Sequence, residues 1–106
     1  MIKLLPVPRS APLPPVATLY PKLQEIWDVP ASVLKVFVAH TNDCSARPGE
    51  TLFVDVRAKA KPDRTPTAVA HKMKQMGLLF KTHGHNANIR VELFEPSLSQ
   101  SYMEQG

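Results

Sequence analysis

The sequence predicts a two-layer α+β domain in which two βαβ repeats form a four-stranded mixed sheet with two helices on one face. Each half of the 106-residue chain begins with an extended apolar segment, continues with apolar residues at helical spacing, and ends with a second extended segment. The halves, about 1–40 and 51–95, share this layout with negligible sequence identity. Right-handed crossovers place both helices on one side of the sheet. Residues 96–106 form a tail of the same single domain.

The first strand is predicted over residues 2–7, within the opening MIKLLPVP. Pro6 and Pro8 are tolerable if they lie where the strand leaves its ladder, because proline cannot donate a hydrogen bond. The same prolines interrupt the apolar run before it reaches the length of a secretory signal. We therefore interpret the segment as an ordered strand and expect a cytoplasmic protein.

The first helix is predicted from near Thr18, which places Pro21 in the first turn, where proline is tolerated. It ends before Pro30, because the residue preceding a proline avoids the helical region. Residues 33–40, VLKVFVAH, are rich in β-branched and aromatic residues and form the second strand. The apolar face of the helix carries Leu19, Leu23, Ile26 and Trp27.

The second repeat carries the clearest strand and helix signals. TLFVDVRAK, residues 51–59, alternates in the manner of a half-buried strand. Thr65 is the predicted N-cap of a helix with Pro66 at its first position, and Gly84 supplies the stop. NIRVELF, residues 88–94, forms the last strand. The expected buried residues here are Val69, Met73, Met76, Phe80, Ile89, Val91 and Leu93.

The sheet face away from the helices mixes charged and aromatic side chains. A solvated face explains the charges but leaves Phe53 and Phe94 exposed to water. Packing against another subunit explains both kinds of residue, provided that the buried charges are paired. We expect oligomerisation, with a solvated face as the alternative. The outward residues are Phe53, Asp55, Arg57, Lys59, Arg90, Glu92 and Phe94.

Composition and charge argue against several classes of function. The net charge is +4, but lysine and arginine form no run and the aromatic residues do not interleave with them. No nucleic-acid partner is therefore predicted. No apolar run approaches the ~18 residues of a membrane span, so no membrane association is predicted. Cys44 is the only cysteine; its TNDCSAR context reads as a turn, and we interpret it as an unreactive loop residue.

No motif indicates a metal or a cofactor, and we expect neither. His83-Gly84-His85 brings two imidazoles together, but a metal site needs a third ligand. A favourable interaction with the carboxyl end of the preceding helix is the simpler explanation. No Gly-rich phosphate loop and no Ser-His-Asp arrangement is recognisable. RSAPLPP, residues 9–15, fits a proline-ligand pattern, which we interpret as a structural connection.

Two segments resemble a known family. FVDVRAKAKPDRTPTAVAHKM, which runs from a strand into the second helix, and VELFEPSLSQSY near the carboxyl end resemble the tautomerase superfamily in its two-repeat form, the macrophage migration inhibitory factor-like fold. The similarity is greatest to a small bacterial branch of unassigned function. The resemblance implies a homotrimer whose sheets pack around a central axis. It also implies sites for a small anionic ligand at subunit boundaries, beside the start of the first strand.

The residue at position 2 departs from this family. There, a proline directly after the initiator methionine becomes the amino terminus, and its amine acts as a general base. Here the residue is Ile2. Methionine is normally removed only before small residues, so we expect Met1 to remain. Its primary amine has an ordinary pKa of about 7.7–8.0 and is a weak candidate base, one residue beyond the position of the amine in the family. The proline-dependent mechanism does not carry over to this chain.

Arg57, Lys59 and Arg90 are the predicted substrate-binding residues, with Tyr102 as a hydroxyl donor from the tail. The resemblance places Lys59 where the family has a residue that contributes its backbone at the end of the third strand. It places Arg90 and Glu92 where better-known members carry a polar pair. Cationic side chains at these positions would hold a carboxylate or polarise a carbonyl group.

Each of these residues also has a simpler explanation. Arg57 and Arg90 are suitably placed to neutralise Asp55 and Glu92 across the sheet. Tyr102 is equally a packing anchor for the tail. For the group Lys59, Lys61 and Arg64 a solvated cationic loop is the favoured explanation, and anion capture at the rim of a pocket is the alternative.

Two functions are compatible with these features. The first is a homotrimeric protein that keeps the fold, lacks the proline base, and serves in binding or interaction. The second is a keto–enol tautomerase or isomerase that acts on a small anionic carbonyl compound, with the Met1 amine as its base. The departure at Ile2 favours the first.

Overall fold

A mixed sheet and two helices make up the described part of the chain. The computed structural model describes residues 1–8, 12–40 and 48–95. A 3-10 helix, Ala31–Val33, precedes the second strand. The strands are β1 (Ile2–Pro6), β2 (Val36–Val38), β3 (Leu52–Lys59) and β4 (Ala87–Phe94), and the helices are α1 (Val16–Trp27) and α2 (Pro66–Thr82).

The strand order in the sheet is β2-β1-β3-β4. β1 and β2 are parallel, with Ile2 opposite Val36, and β3 and β4 are parallel, with Leu52 opposite Ala87. The central pair, β1 and β3, is antiparallel, with Ile2 opposite Val56. Each parallel pair is thus joined through one helix, and the predicted fold class is confirmed.

The hydrophobic core lies between one face of the sheet and the two helices. Period-2 alternation in the strands and helical spacing in α1 and α2 supply its residues, as predicted. Of the residues of the second repeat expected to be buried, Met76 and Phe80 are buried, and Val69, Met73, Ile89 and Val91 are half-buried. Leu93 is 38% exposed, because it lies two register pairs beyond Val56, the last buried residue of β3. The buried apolar residues are Ile2, Leu4, Leu19, Leu23, Trp27, Leu52, Val54, Val56, Met76 and Phe80.

Helix α1 begins earlier than the sequence predicts. Its first residue is Val16, so Pro21 lies inside the helix and not in its first turn. Proline supplies no N–H for the carbonyl of Ala17, four residues earlier. Because Ala17 and Pro21 are both exposed, that carbonyl can bond to water, which explains why the helix tolerates the proline. Asp28, in the left-handed region with φ of 52°, ends the helix.

Pro6 lies where β1 leaves its pairing with β2. The last β1–β2 register pair is Leu4 and Val38, and one more hydrogen bond follows, from the Ala39 N–H to the Leu4 oxygen at 2.9 Å. The missing N–H of Pro6 therefore faces the side on which β2 has ended. The predicted strand over 33–40 is shortened to three residues because the chain forms the 3-10 helix before it.

Helix α2 begins as the sequence predicts. The Thr65 side chain accepts a hydrogen bond from the Ala68 N–H at 3.2 Å, and Pro66 is the first helical residue. The helix ends at Thr82, and Gly84 follows with φ of +83°, a conformation that favours glycine. The cap and the stop together fix the length of α2.

The two histidines after α2 have different environments. His83 is the C-cap residue, but His85 is a core residue, 1% exposed. Its Nδ1 lies 2.9 Å from the Thr51 Oγ1, and its Nε2 is buried with no hydrogen-bond partner among the described residues. An interaction with the helix end therefore does not explain His85. Within residues 1–8, 12–40 and 48–95, no three His, Cys, Asp or Glu side chains are grouped to hold a metal ion.

Several predicted features lie outside the described residues. These are Cys44 and its turn, the first residues of RSAPLPP, and the tail that carries Tyr102. In the part of the chain that is described, no helix has both the length and the apolar character needed to cross a membrane.

Candidate ligand-binding cavity

A cavity of about 690 Å³ opens at the end of the sheet where β1 begins. β3 runs antiparallel to β1 and continues past Val56, the partner of Ile2, as far as Lys59. The sheet therefore has a gap beside the last three residues of β3. The cavity is lined by Met1, Ile2, Trp27, Val29, Val33, Leu34, Val56, Arg57, Ala58, Lys59, Lys61, Arg64, Phe94 and Glu95.

Met1 extends the β1 ladder by one residue into this gap. Its amine donates a hydrogen bond to the Arg57 carbonyl oxygen at 2.8 Å, and the Arg57 N–H donates to the Met1 oxygen at 2.9 Å. Ile2 behind it is buried, and its N–H donates to the Lys35 oxygen at 2.8 Å. The amine therefore has a fixed position at the wall of the cavity.

The surroundings of the amine favour its neutral form. Burial lowers the pKa of the Met1 amine from its ordinary value of 8.0, and the positive charges of Arg64 and then Arg57 lower it further. Desolvation and nearby cations both disfavour a protonated amine. A larger fraction of the amine is thus neutral near pH 7, and only the neutral amine can accept a proton or attack a carbonyl carbon.

A backbone donor of β3 faces the same gap. Arg57 directs both of its main-chain groups toward β1, whereas the Ala60 N–H donates to the Phe94 oxygen on β4 at 2.8 Å. Main-chain groups alternate between the two sides of a strand, so the Lys59 N–H points toward the β1 side, beyond the start of β1. It offers a hydrogen bond to an oxygen atom of a bound ligand.

Arg64 lies across the gap that β1 leaves open. Its Nη1 donates to the Lys59 carbonyl oxygen at 2.6 Å. In the register of a longer β1, Lys59 would have paired with a residue two positions before Met1. A guanidinium has five N–H donors in a planar fork, so others remain for a ligand. Arg64 is half-buried, which makes its charge less screened than that of an exposed cation.

Trp27 supplies an apolar surface to the cavity beneath these cations. It is 4% exposed, and its Nε1 donates to the Met76 sulfur at 3.4 Å. The Arg64 guanidinium carbon and the Lys72 Nζ each lie 5.6 Å from the centroid of the ring, within the range of a cation–π interaction. The ring is therefore fixed by contacts with Met76, Arg64 and Lys72. Trp27 is the only tryptophan of the chain.

The wall opposite β3 comes from the segment between α1 and β2. Tyr20 anchors this segment, because its hydroxyl lies 2.8 Å from the Ala31 oxygen and 2.9 Å from the Leu34 oxygen. Val33, between these residues, lines the cavity and is 61% exposed. The mouth is thus apolar on this side and cationic on the side of β3.

The structure brings three predicted site residues together and adds two. Met1, Arg57 and Lys59 line one cavity. Arg64 and Trp27 also line it. The sequence favoured a solvated loop over a pocket rim for Arg64, and it placed Trp27 on the apolar face of the first helix. The signal for Arg64 available in the sequence was its place immediately before the Thr65 N-cap. The connection between the end of β3 and the start of α2 is short, so it keeps Arg64 near the end of the strand.

Arg90 and Tyr102 are not placed at this cavity. Arg90 lies opposite Asp55 in the β3–β4 register, and Arg57 lies opposite Glu92. Residues of opposite charge therefore occupy neighbouring register positions on β3 and β4. Arg90 is not among the residues that line the cavity, and Tyr102 lies outside the described residues.

One solved structure provides a comparison. The FG41 malonate semialdehyde decarboxylase, inhibited by 3-bromopropiolate, matches this chain with a TM-score of 0.67 and 11% sequence identity, over 91% of this chain and 84% of that chain. No model of a protein family matches the chain, and no curated protein matches it. At 11% identity the likeness concerns the fold alone: this chain shares the two-layer α+β fold of that decarboxylase.

Proposed function

We propose that this chain, whose fold is that of the tautomerase superfamily, binds a small carboxylate with an apolar body in the cavity beside Met1. One observation carries the proposal: the cavity joins a cationic rim to an apolar floor. The described lining has four cationic side chains and one carboxylate, that of Glu95. An excess of positive charge over a low-dielectric surface attracts a small anion.

The residues of the cavity divide between the two parts of such a ligand. The carboxylate is held by Arg64 and Arg57, and the Lys59 N–H donates to a further oxygen atom. The body of the ligand packs on Trp27 and on the apolar wall that includes Val33. An aromatic or branched aliphatic body matches this wall better than a polar one, since its burial removes apolar surface from water.

Fluorescence of Trp27 provides the test. 3-Phenylpropionate, which has the carboxylate and apolar body but no carbonyl group, is titrated into the protein, with its alcohol analogue as the uncharged control. We expect saturable binding of the acid and an affinity at least about tenfold lower for the alcohol, since hydrogen bonds to charged groups contribute about 1.5–3 kcal/mol. Equal binding of the two compounds, or no binding of either, would contradict the proposal.

Arg64→Met is the matched variant, because methionine keeps apolar contact with Trp27 but removes the charge. We expect it to weaken 3-phenylpropionate about tenfold, measured by calorimetry since the substitution alters the surroundings of Trp27. Lys74→Met, on an exposed position of α2, is the control that removes the same charge elsewhere. If both variants bind as the parent does, Arg64 does not hold the carboxylate.

The placement of the amine favours a second candidate function, keto–enol isomerisation of a small anionic carbonyl compound. Met1 offers a base with a lowered pKa, next to Arg57 for the carboxylate and the Lys59 N–H for the enol oxygen. Decay of the phenylpyruvate enol, followed by its ultraviolet absorbance, tests this activity. Turnover that is unchanged in Arg57→Ala and after acetylation of the Met1 amine would exclude this role.

The proposed assembly is a homotrimer built through the sheet face that the helices leave uncovered. In the register of the sheet, Phe37, Lys3 and Asp55 form one row across this face, and Leu5 and Phe53 form the next. The Lys3 Nζ lies 5.9 Å from the Phe37 ring centroid. Apolar and charged groups together on one face suit contact with other copies of the chain.

A further inference from the structure

We infer that Lys72 is a positioning residue of the cavity: it does not touch a bound ligand, but it holds the Trp27 ring in the place where the ligand packs. The inference rests on the proposed function, because it concerns the apolar floor that receives the body of the carboxylate. It extends the site to helix α2, which contributes no residue to the described lining of the cavity.

Trp27 is the last residue of α1, where a helix needs support from outside. The last four carbonyl groups of a helix have no partner within it. The Asp28 N–H donates to the Gln24 oxygen at 2.8 Å, which satisfies the first of them. The last turn of α1 contains no basic residue that could interact with the others. Helix ends fray, so the position of Trp27 depends on a contact from another element.

Lys72 supplies this contact from α2. Its Nζ donates to the Ile26 oxygen at 3.0 Å, directly before Trp27 in the chain. An ammonium group at the carboxyl end of a helix also interacts favourably with the helix dipole. The same nitrogen lies 5.6 Å from the centroid of the Trp27 ring, within the range of a cation–π interaction. One ammonium group thus holds both the backbone before Trp27 and the ring itself.

Met76 adds a second contact from the same helix. It follows Lys72 by four residues, so the two side chains lie on one face of α2. Met76 is buried, and its sulfur accepts the Trp27 Nε1–H at 3.4 Å. Trp27 lines the cavity, whereas Lys72 and Met76 do not. Helix α2 therefore positions the ring from outside the cavity.

The partial burial of Lys72 agrees with this role. A lysine ammonium is strongly hydrated, and lysine side chains are mostly exposed. Lys72 is half-buried, whereas Lys74, two residues later on α2, is exposed. The carbonyl oxygen and the ring offset the cost of taking the Lys72 ammonium partly out of water.

The position of the ring should affect affinity through the fraction of molecules that can bind. A ligand that packs on Trp27 binds only molecules in which the ring is in place, so its apparent dissociation constant rises as that fraction falls. This change acts on the apolar body of the ligand and not on its carboxylate. Loss of the Lys72 ammonium should therefore weaken a charged and an uncharged ligand by the same factor, whereas loss of the Arg64 charge should weaken only the charged one.

NMR of ¹⁵N-labelled protein without ligand provides the first test, because the only tryptophan, Trp27, gives a single indole N–H signal. Lys72→Met keeps an unbranched apolar side chain but removes the ammonium. We expect this variant to shift the indole signal and to weaken the tryptophan band in near-ultraviolet circular dichroism. Lys72→Arg keeps a donor and a cation and should restore both, and Lys74→Met should change neither. A Trp27 signal and band that are the same in Lys72→Met as in the parent would overturn the inference.

Titration with 3-phenylpropionate and with its alcohol analogue provides the second test. The backbone amide signals of the residues that line the cavity report binding, and their dispersion shows that each variant is folded. We expect Lys72→Met to weaken both ligands by the same factor, at least about threefold, and Lys72→Arg to recover most of the loss. In Trp27→Leu, which lacks the ring, a further Lys72→Met should not weaken binding in this way.

The outcomes separate this inference from the proposed function. If 3-phenylpropionate binds the parent and Lys72→Met equally well, Lys72 does not position the site and the proposed function stands. Weakening of the acid alone would show a long-range effect of charge, and an equal loss in the Trp27→Leu background would show that Lys72 does not act through the ring; either result would overturn the inference. Absence of binding in the parent would overturn the proposed function, and with it the role of Lys72 in binding.

Discussion

Met1 and Arg57 exchange two main-chain hydrogen bonds, from the Met1 amine to the Arg57 oxygen at 2.8 Å and from the Arg57 N–H to the Met1 oxygen at 2.9 Å. First residues usually fray because little ties them down. Here the ladder holds the first residue at the edge of a cavity, where burial, Arg64 and the charge of the same partner, Arg57, lower the pKa of its amine. The register of β1 against β3 thus positions the amine, the cation and the neighbouring Lys59 N–H together.

Removing the charge of Arg64 should raise the pKa of the Met1 amine toward its ordinary value of 8.0. The reason is that Arg64 disfavours the protonated amine by charge repulsion. The amine is labelled by reductive methylation with isotopic formaldehyde and titrated by NMR in the parent and in Arg64→Met. Lys74→Met is the control.

Salt supplies a second measurement of the same effect. Added salt should raise the pKa of the amine in the parent, because it screens repulsion from Arg64 and Arg57. It should do so less in Arg64→Met. If the pKa of the amine responds to neither the substitution nor salt, burial alone would account for its lowering.

The lowered pKa also predicts how stability depends on pH. Between the pKa of the folded amine and 8.0, the unfolded chain binds more protons than the folded chain. The free energy of unfolding should therefore rise with pH across this window and gain nothing more from the amine above it. Urea unfolding at several pH values measures this. Protein acetylated at Met1 should lose this part of the rise, and an identical profile in both forms would contradict the assignment.

Much of the fold could be predicted because it depends on local patterns. The alternation in 51–59 and the Thr65-Pro66 helix start specify β3 and the start of α2. Two βαβ units then leave few ways to arrange the sheet. The start of α1 was less predictable, because tolerance of Pro21 inside the helix depends on its exposure, which is a tertiary property.

The candidate site was only partly predictable, for a related reason. Arg57 and Lys59 were predicted as site residues for two reasons. Strand alternation indicates on which face of the sheet they lie, and the family resemblance indicates that they lie near the end of the third strand. For Arg64 a solvated loop was favoured over a pocket rim, because the hydrogen bond from Arg64 to the Lys59 oxygen depends on β1 ending before β3 does. His85 was assigned to the helix end because its contact with Thr51 joins residues from different elements.

Tyr20→Phe should loosen the apolar wall of the cavity. The hydroxyl of Tyr20 holds the carbonyls of Ala31 and Leu34, and its loss should lower the free energy of unfolding by about 0.5–1.5 kcal/mol. We also expect weaker binding of 3-phenylpropionate, measured by calorimetry, since Val33 and Leu34 line the cavity. Unchanged affinity in a destabilised variant would show that the wall does not contact the ligand.

Phe53→Lys should disrupt the proposed homotrimer. Phe53 is half-buried on the uncovered sheet face, opposite Leu5 in the register, and a lysine there would place an unpaired charge in the subunit contact. Light scattering should give a trimer for the parent and smaller species for the variant. Leu78→Lys, at a residue of α2 that is 59% exposed, is the control and should remain trimeric. A monomeric parent would disprove the assembly.

Thr51→Val should destabilise the fold through His85. The Thr51 Oγ1 accepts the Asn86 N–H at 3.0 Å and lies 2.9 Å from the His85 Nδ1. The Nε2 has no partner in the described part of the chain, so valine would leave both ring nitrogens of a buried histidine without a partner there, at a cost of about 1–3 kcal/mol. Thr51→Ser keeps the hydroxyl and should cost less, as urea unfolding will show. In His85→Leu no ring nitrogen remains, so a further Thr51→Val should cost less than it does in the parent; strictly additive costs would show that the two side chains are not coupled.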